Sequence, residues 1–298
     1  MTEMFGLLNL HKPVGRTSRW VVDFVSRLTG VRKIGHAGTL DPLASGVLVL
    51  CLGPATRLVE YVQAGTKVYR AQVTLGVSTT SYDGEGEIVA THPVPPLTID
   101  ELATMLNRYT GDVVQQPPIY SAVKVDGVAA YRRARRGQAM DLARRTVRIS
   151  RLALLDWDSP HLTVEIHCSP GTYVRSLAHD WGEALGCGAH LSALVRLASG
   201  HFRLEESVSV DAFADAARAG TWQNYLLPPD EAVRDLVPVI CDEAAASTLQ
   251  SGNSLPCPTV PATTTGRAYD PGGRLIALVT YDADRQQWRP HKVFRTSA

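Results

Sequence analysis

Cysteine is sparse: Cys51, Cys168, Cys187, Cys241 and Cys257 are scattered singly through 298 residues, with no CxxC pair. An odd, dispersed set excludes a disulfide framework and a zinc knuckle as organising features. Cys187-Gly188-Ala189-His190 outlines half a metal site, but no second ligand pair stands at workable spacing, so no metal is expected. Long hydrophobic runs are missing too; none approaches the roughly 20 residues that cross a bilayer. The opening residues lack the basic start and apolar stretch of a secretory signal, and the expected location is cytoplasmic.

Charge of one sign is also absent, the formal net charge being +1. That balance conceals a local bias. Between Lys124 and Arg151 lie nine Lys or Arg residues, among them Arg132, Arg133 and Arg136, against only Asp126 and Asp141. Only charges near a polyanion release its counterions, so such a segment suits a phosphate-facing surface. An ordinary solvated charge run has the same composition.

What is present is a chain 45% hydrophobic and 20% charged, enough for a substantial core and about two domains. Phe5 to Asn9 reads as a strand. Thr17 and Ser18 can cap a helix whose apolar positions Trp20, Val21, Phe24, Val25 and Leu28 recur at helical spacing up to Gly30. Val47 to Leu52 fits a buried strand, and Leu58, Tyr61 and Val62 a short helix. Alternation predicts strands at Lys67 to Leu75, Val147 to Asp156 and Leu162 to Cys168. Helical spacing returns around Ile99 to Tyr109 and Tyr173 to Leu185. Strands and helices mixed without a βαβ rhythm favour α+β. Beyond the proline-marked stretch near Leu227 the tail turns β-rich, with one short helix at Asp242 to Ser251, which places a domain boundary between residues 237 and 238.

The most informative stretch is Gly35-His36-Ala37-Gly38-Thr39-Leu40-Asp41-Pro42-Leu43-Ala44-Ser45-Gly46, one carboxylate among small residues. Glycines permit close backbone approach and Pro42 stiffens the chain after Asp41, which would leave a fixed, accessible carboxylate. A turn that Asp41 merely caps has the same residues. Taken alone, Tyr69 and Tyr173 read as half-buried core tyrosines and Arg175 as a surface arginine.

The order of residues narrows these readings. GHAGTLDPLASG resembles the catalytic loop of the TruB family of tRNA pseudouridine synthases. Leu8-Asn9-Leu10-His11-Lys12-Pro13-Val14-Gly15 resembles that family's opening Lys-Pro motif, Lys67-Val68-Tyr69-Arg70 its tyrosine segment, and Gly171-Thr172-Tyr173-Val174-Arg175 its arginine segment. Leu185 to His190 and Leu194-Val195-Arg196-Leu197 continue the likeness in order, so it covers roughly residues 5 to 235.

The resemblance implies a mixed, mostly antiparallel sheet followed by a PUA-like β-barrel domain, residues 1–237 and 238–298. It implies an enzyme that isomerises uridine 55 in the T-loop of tRNA and needs no cofactor; a monomer is expected. Asp41 is the implied essential carboxylate, Arg175 its ionic partner and Tyr69 the stacking residue. His36 would enter the RNA loop, Tyr173 back the base, Leu197 wall the uracil pocket and Lys12 contact phosphate or brace the loop. Asp83 aligns with an acidic position linked to the arginine, although Thr80-Ser81-Tyr82 departs from the usual Asp-Thr-Ser. In the tail, Leu255-Pro256-Cys257-Pro258 replaces an expected glycine-containing stretch. Two rivals use the same residues: a non-catalytic tRNA-binding protein, which needs neither Asp41 nor Arg175, and a hydrolase using Asp41 with His36, which would want a second acid or base.

Overall fold

The computed structural model describes residues 4–120, 142–257 and 259–294, with the backbone alone at 124–125 and 128–129. Arg132, Arg133 and Arg136 lie outside the described residues.

The apolar runs near the N-terminus pair with each other before anything else. Gly6–Lys12 runs antiparallel to Ala44–Leu52, the latter buried at every position. Such a strand is covered on both faces, which explains why its sequence shows no alternation. One cover is the helix Ser18–Thr29. Its first turn is capped by the Thr17 hydroxyl, which accepts from the Trp20 N–H at 3.0 Å, and Gly30 ends it in a left-handed conformation. The face carrying Val21, Val22 and Val25 packs on Leu8, Leu10, Leu48 and Leu50.

Among the described residues the main sheet has ten strands. Its path runs Val208–Ser209, Gly6–Lys12, Ala44–Leu52, Ala189–Ser199, Lys67–Leu75, His161–Cys168, Arg145–Asp158, Gly111–Gln115. Two pairings are parallel, Gly6–Lys12 with Val208–Ser209 and Ala44–Leu52 with Ala189–Ser199; the others are antiparallel. The sheet is therefore mixed and mostly antiparallel within an α+β fold. Ala189–Ser199, late in the chain, is inserted between two strands made much earlier. The helix Val174–Leu185 covers one face, burying Leu177, Ala178 and Trp181 against Val73, Leu191 and their neighbours. Each large aliphatic chain so buried contributes about 1.5–3 kcal/mol.

The parallel contact between Ala44–Leu52 and Ala189–Ser199 requires a glycine. Gly46 has φ of 105°, and a Cβ there would lie 2.3 Å from the Arg196 carbonyl oxygen. Backbone cannot retreat as a side-chain tip can. Gly46→Ala is expected to lose about 2–4 kcal/mol of stability, read as a lowered urea midpoint.

A second sheet starts at Val237 and has the order Val237–Ile240, Thr265–Tyr269, Leu275–Asp282, Gln287–Val293, Leu255–Pro256, packed on the helix Glu243–Gln250. It is a half-barrel, consistent with a PUA-like domain. Leu255–Pro256 is its edge strand, a position that tolerates a proline without a donor. The two sheets meet through a shared apolar cluster in which Leu275, Leu278 and Phe294 join Leu7, Val47 and Leu58. Arg57 donates to the Val293 carbonyl at 2.6 Å and Lys292 to the Arg57 carbonyl at 2.6 Å.

Candidate active site

Asp41 sits in the turn between Ile34–His36 and Ala44–Leu52, its own carbonyl accepting from the Ala44 N–H at 3.1 Å. Four residues from other parts of the chain fix that turn. The buried Ser18 hydroxyl, at the start of the first helix, both donates to the Leu40 carbonyl (3.1 Å) and accepts from the Leu40 N–H (2.8 Å). On the other side Gly15 N–H donates to the Pro42 carbonyl at 2.8 Å. The fully buried Lys12 ammonium donates to the carbonyls of Pro13, Arg16 and, at 3.4 Å, Pro42. Lys12 is thus a brace for the loop, and burial pulls its pKa down to about 8. Arg196 supplies the last tie, donating from Nη2 to the Gly38 carbonyl (3.1 Å) and from Nε to the Val47 carbonyl (2.7 Å).

Opposite the loop stands Arg175, in the first turn of the helix Val174–Leu185. Its Nε lies 3.0 Å from Asp41 Oδ2 and its Nη1 3.4 Å from Asp83 Oδ2. The guanidinium also donates to the carbonyls of Ser81 (3.3 Å) and Tyr120 (2.9 Å). Two carboxylates share one arginine, and exposure separates their roles. The Asp41 side chain keeps 35% of its surface open, against 4% for Asp83 and 6% for Arg175. Of the two carboxylates, only Asp41 can meet a ligand.

Asp41 and Arg175 floor a cleft of about 330 Å³, lined also by Tyr69, Tyr173, Leu194 and Arg196. That volume is at the lower end of small-molecule sites and suits one nucleoside. Burial pushes the Asp41 carboxyl above the ordinary carboxylate range; Arg175 draws it back, Asp83 adds to the rise and Lys12 offsets it. The guanidinium does not fully offset burial. Burial likewise raises the Tyr69 phenol, with Arg196 opposing, so Tyr69 stays a neutral hydroxyl at pH 7.

Tyr173 owes its place to a residue with no sequence signal. The fully buried Gln115 side chain donates to the Tyr173 carbonyl (2.8 Å) and accepts from the Tyr173 N–H (2.7 Å), while the Arg145 guanidinium lies 4.8 Å from the ring centre. Gln115→Leu would strand the Tyr173 N–H and leave its carbonyl with only the Leu177 N–H, at 3.3 Å. The expected result is a loss of about 2 kcal/mol or more in chemical unfolding.

The structure brings Asp41, Tyr69, Tyr173 and Arg175 to one cleft, with Asp83 directly behind and Lys12 beneath. Leu197 is corrected. It does not line the cleft, because it occupies a register irregularity between Arg196 and Ala198; Leu194, two residues before Arg196 on the same strand face, provides the aliphatic wall. His36 is not a lining residue either. It lies on Ile34–His36, half-buried, its Nδ1 without a partner, and burial together with Arg196 and Arg19 lowers its pKa. Arg196, Gln115 and Lys67 are contributors that the sequence did not single out.

Solved structures share this fold over nearly the whole chain. A chain of a Cbf5-Nop10-Gar1 complex superposes with a TM-score of 0.72 at 25% identity, covering 98% of this chain and 84% of that one. A chain from an H/ACA RNP bound to a substrate RNA containing 2′-deoxyuridine shares the fold with a TM-score of 0.75 at 24% identity, covering 98% and 85%. Sequence models are more specific: the TruB family pseudouridylate synthase N-terminal domain matches residues 26–174, and the tRNA pseudouridylate synthase B C-terminal domain matches 175–234. Proteins named tRNA pseudouridine synthase B are similar along most of the chain. That of Dehalococcoides mccartyi is 39% identical over 98% of this chain and 97% of its own, and that of Geobacillus kaustophilus 41% over 91% and 98%. The chain belongs to the TruB family of pseudouridine synthases.

Proposed function

We propose that this protein isomerises uridine 55 in the T-loop of tRNA to pseudouridine, with Asp41 as the essential carboxylate. The observation that carries the reading is the Asp41 carboxylate, held 3.0 Å from Arg175 and partly open to a nucleoside-sized cleft. tRNA as substrate follows from the names of the relatives, and the position within it from the loop motif around Asp41.

The reaction breaks the N1 to C1′ bond, turns the uracil and joins C5 to C1′; the C5 hydrogen leaves as a proton and N1 takes one up. Redox state does not change and water is not consumed, so the chemistry needs no cofactor. A carboxylate serves such a glycosidic centre as nucleophile or as partner of a developing positive charge. The uridine must first leave its stack, at a cost of a few kcal/mol. Stacking on Tyr69 offsets roughly 1–3 kcal/mol of that, with Leu194 as the aliphatic wall and Tyr173 behind. His36, on the strand leading into the Asp41 loop, is the proposed occupant of the space the nucleotide leaves. Residues 1–237 act as the catalytic domain and 238–298 as an RNA-binding domain, in a monomer working in the cytoplasm. Arg132, Arg133 and Arg136 add backbone contacts, and shape recognition dominates.

The test uses tRNA carrying tritium at uracil C5. The native protein should release tritium one for one with pseudouridine formed, the RNA chain staying intact; no release from a transcript with an intact T-loop sinks the assignment. In the same assay Tyr69→Phe should bind tRNA about tenfold more tightly than Tyr69→Leu, matching the loss of one stacking contact. Equal Kd values for the two proteins contradict the stacking role.

A further inference from the structure

Among the described non-glycine residues only Tyr82 and Gln286 have positive φ, and Tyr82, at 63°, adjoins the active site. A bulky side chain in that region persists only where surrounding contacts over-determine it. The contacts are explicit. The Tyr82 carbonyl accepts from the Leu191 N–H at 3.0 Å, and its ring stacks on His179 with centroids 4.0 Å apart and planes 6° from parallel. His179 is four residues beyond Arg175, one turn along the same helix face.

The residues flanking Tyr82 are those that hold Arg175 from behind: the Ser81 carbonyl and the Asp83 carboxylate. A left-handed residue between them folds the chain so that both oxygens face one guanidinium. Residues 81–83 therefore grip two successive helical turns, by charge at Arg175 and by ring stacking at His179. No hydrogen bond holds the imidazole at its buried Nδ1, so stacking is its main restraint. Tyr82 is outside the main apolar cluster and borders a hollow of about 390 Å³ shared with His179, His92 and Glu183. General core filling does not account for it.

We propose that the Tyr82–His179 stack is a positioning device for the reaction, locking the 81–83 turn onto the helix so that Arg175 stays aligned on Asp41. The proposal rests on the catalytic reading of Asp41 given above. Neither ring touches the substrate; both act through Arg175.

The experiment measures single-turnover tritium release against pH, with RNA Kd and thermal melting alongside. A loosened Arg175 leaves Asp41 facing Asp83, with Lys12 beneath and Glu85 and the Tyr69 hydroxyl nearby, and its acid limb should move to higher pH. Tyr82→Gly, which keeps the backbone unstrained, and His179→Ala are both expected to slow the bound-state rate roughly tenfold and raise that limb by about one pH unit, with Kd unchanged within about twofold. Tyr82→Phe and His179→Phe preserve a stack and should restore the native rate. Unaltered rate and pH profile in Tyr82→Gly and His179→Ala overturn the proposal, as does a Tyr82→Phe protein as slow as Tyr82→Gly. Should Tyr82→Gly not fold, the comparison of His179→Ala with His179→Phe decides, equal rates counting against the stack. Asp41→Asn runs as control: turnover by that protein defeats the active-site reading, whereas an inert Asp41→Asn beside unaffected Tyr82 and His179 variants defeats the stack alone.

Discussion

The Asp41→Asn protein is expected to lose tritium release by more than about 10³-fold while its tRNA Kd stays within about threefold. The substitution preserves shape and the ability to accept a hydrogen bond from Arg175, so the cleft survives. What disappears is the charge. Asparagine can neither attack a sugar or base carbon nor balance positive charge at C1′, and Asp83 cannot take over, since it is sealed behind Arg175. Stability should move the opposite way. Burial raises the Asp41 pKa in the folded state, so the native protein binds more protons than the unfolded chain between the ordinary carboxylate pKa and the raised one. Native stability attributable to this group is then present below about pH 4 and lost as pH climbs through the folded value. The melting temperature of Asp41→Asn should gain on the native protein over that window. Native turnover by the variant, or a gap closing with rising pH, contradicts the account.

Arg175→Ala should have the second largest effect, and on two quantities at once. Removing the guanidinium leaves Asp83, almost fully buried, without its cation, and breaking a buried pair typically costs about 3–5 kcal/mol. Activity should fall more than about 100-fold, because Asp41 loses both its alignment and the charge that favours ionisation. Arg175→Lys separates the two. It restores the charge but cannot reach Asp41, Asp83, the Ser81 carbonyl and the Tyr120 carbonyl with one fork, so stability should return further than rate. Urea unfolding and single-turnover kinetics on the three proteins check this; an Arg175→Ala protein as stable as the native chain refutes the shared-arginine arrangement.

Much of this was legible in the chain. Thr17 and Gly30 bracket the first helix as a cap pair should, and the strand and helix patterns at Lys67 to Leu75, Leu162 to Cys168 and Tyr173 to Leu185 correspond to observed elements. Asp41 and Arg175 were legible through ordered motifs, 134 positions apart and yet in contact. The central strand Ala189–Ser199 was not read as a strand, because Ser192 and the buried Arg196 interrupt its apolar character and its partners are remote in sequence. The helix Val210–Arg218 also escaped notice. The motif points to Leu197 as the pocket wall, but a motif gives order and not strand parity, and a one-residue irregularity decides which leucine faces the cleft. Gln115 acts through backbone groups that any residue could offer, so no local pattern announces it.

The late insertion of Ala189–Ser199 has a consequence for synthesis. While the ribosome is still translating the middle of the gene, Ala44–Leu52 and Lys67–Leu75 each present an unpaired edge that only a segment not yet made can cover. The nascent polypeptide must therefore carry sticky β-edges until Ala189–Ser199 has been made. It cannot modify RNA in that interval, since Leu194 and Arg196 arrive on the strand that closes the sheet, so catalytic competence and protection from aggregation are gained together.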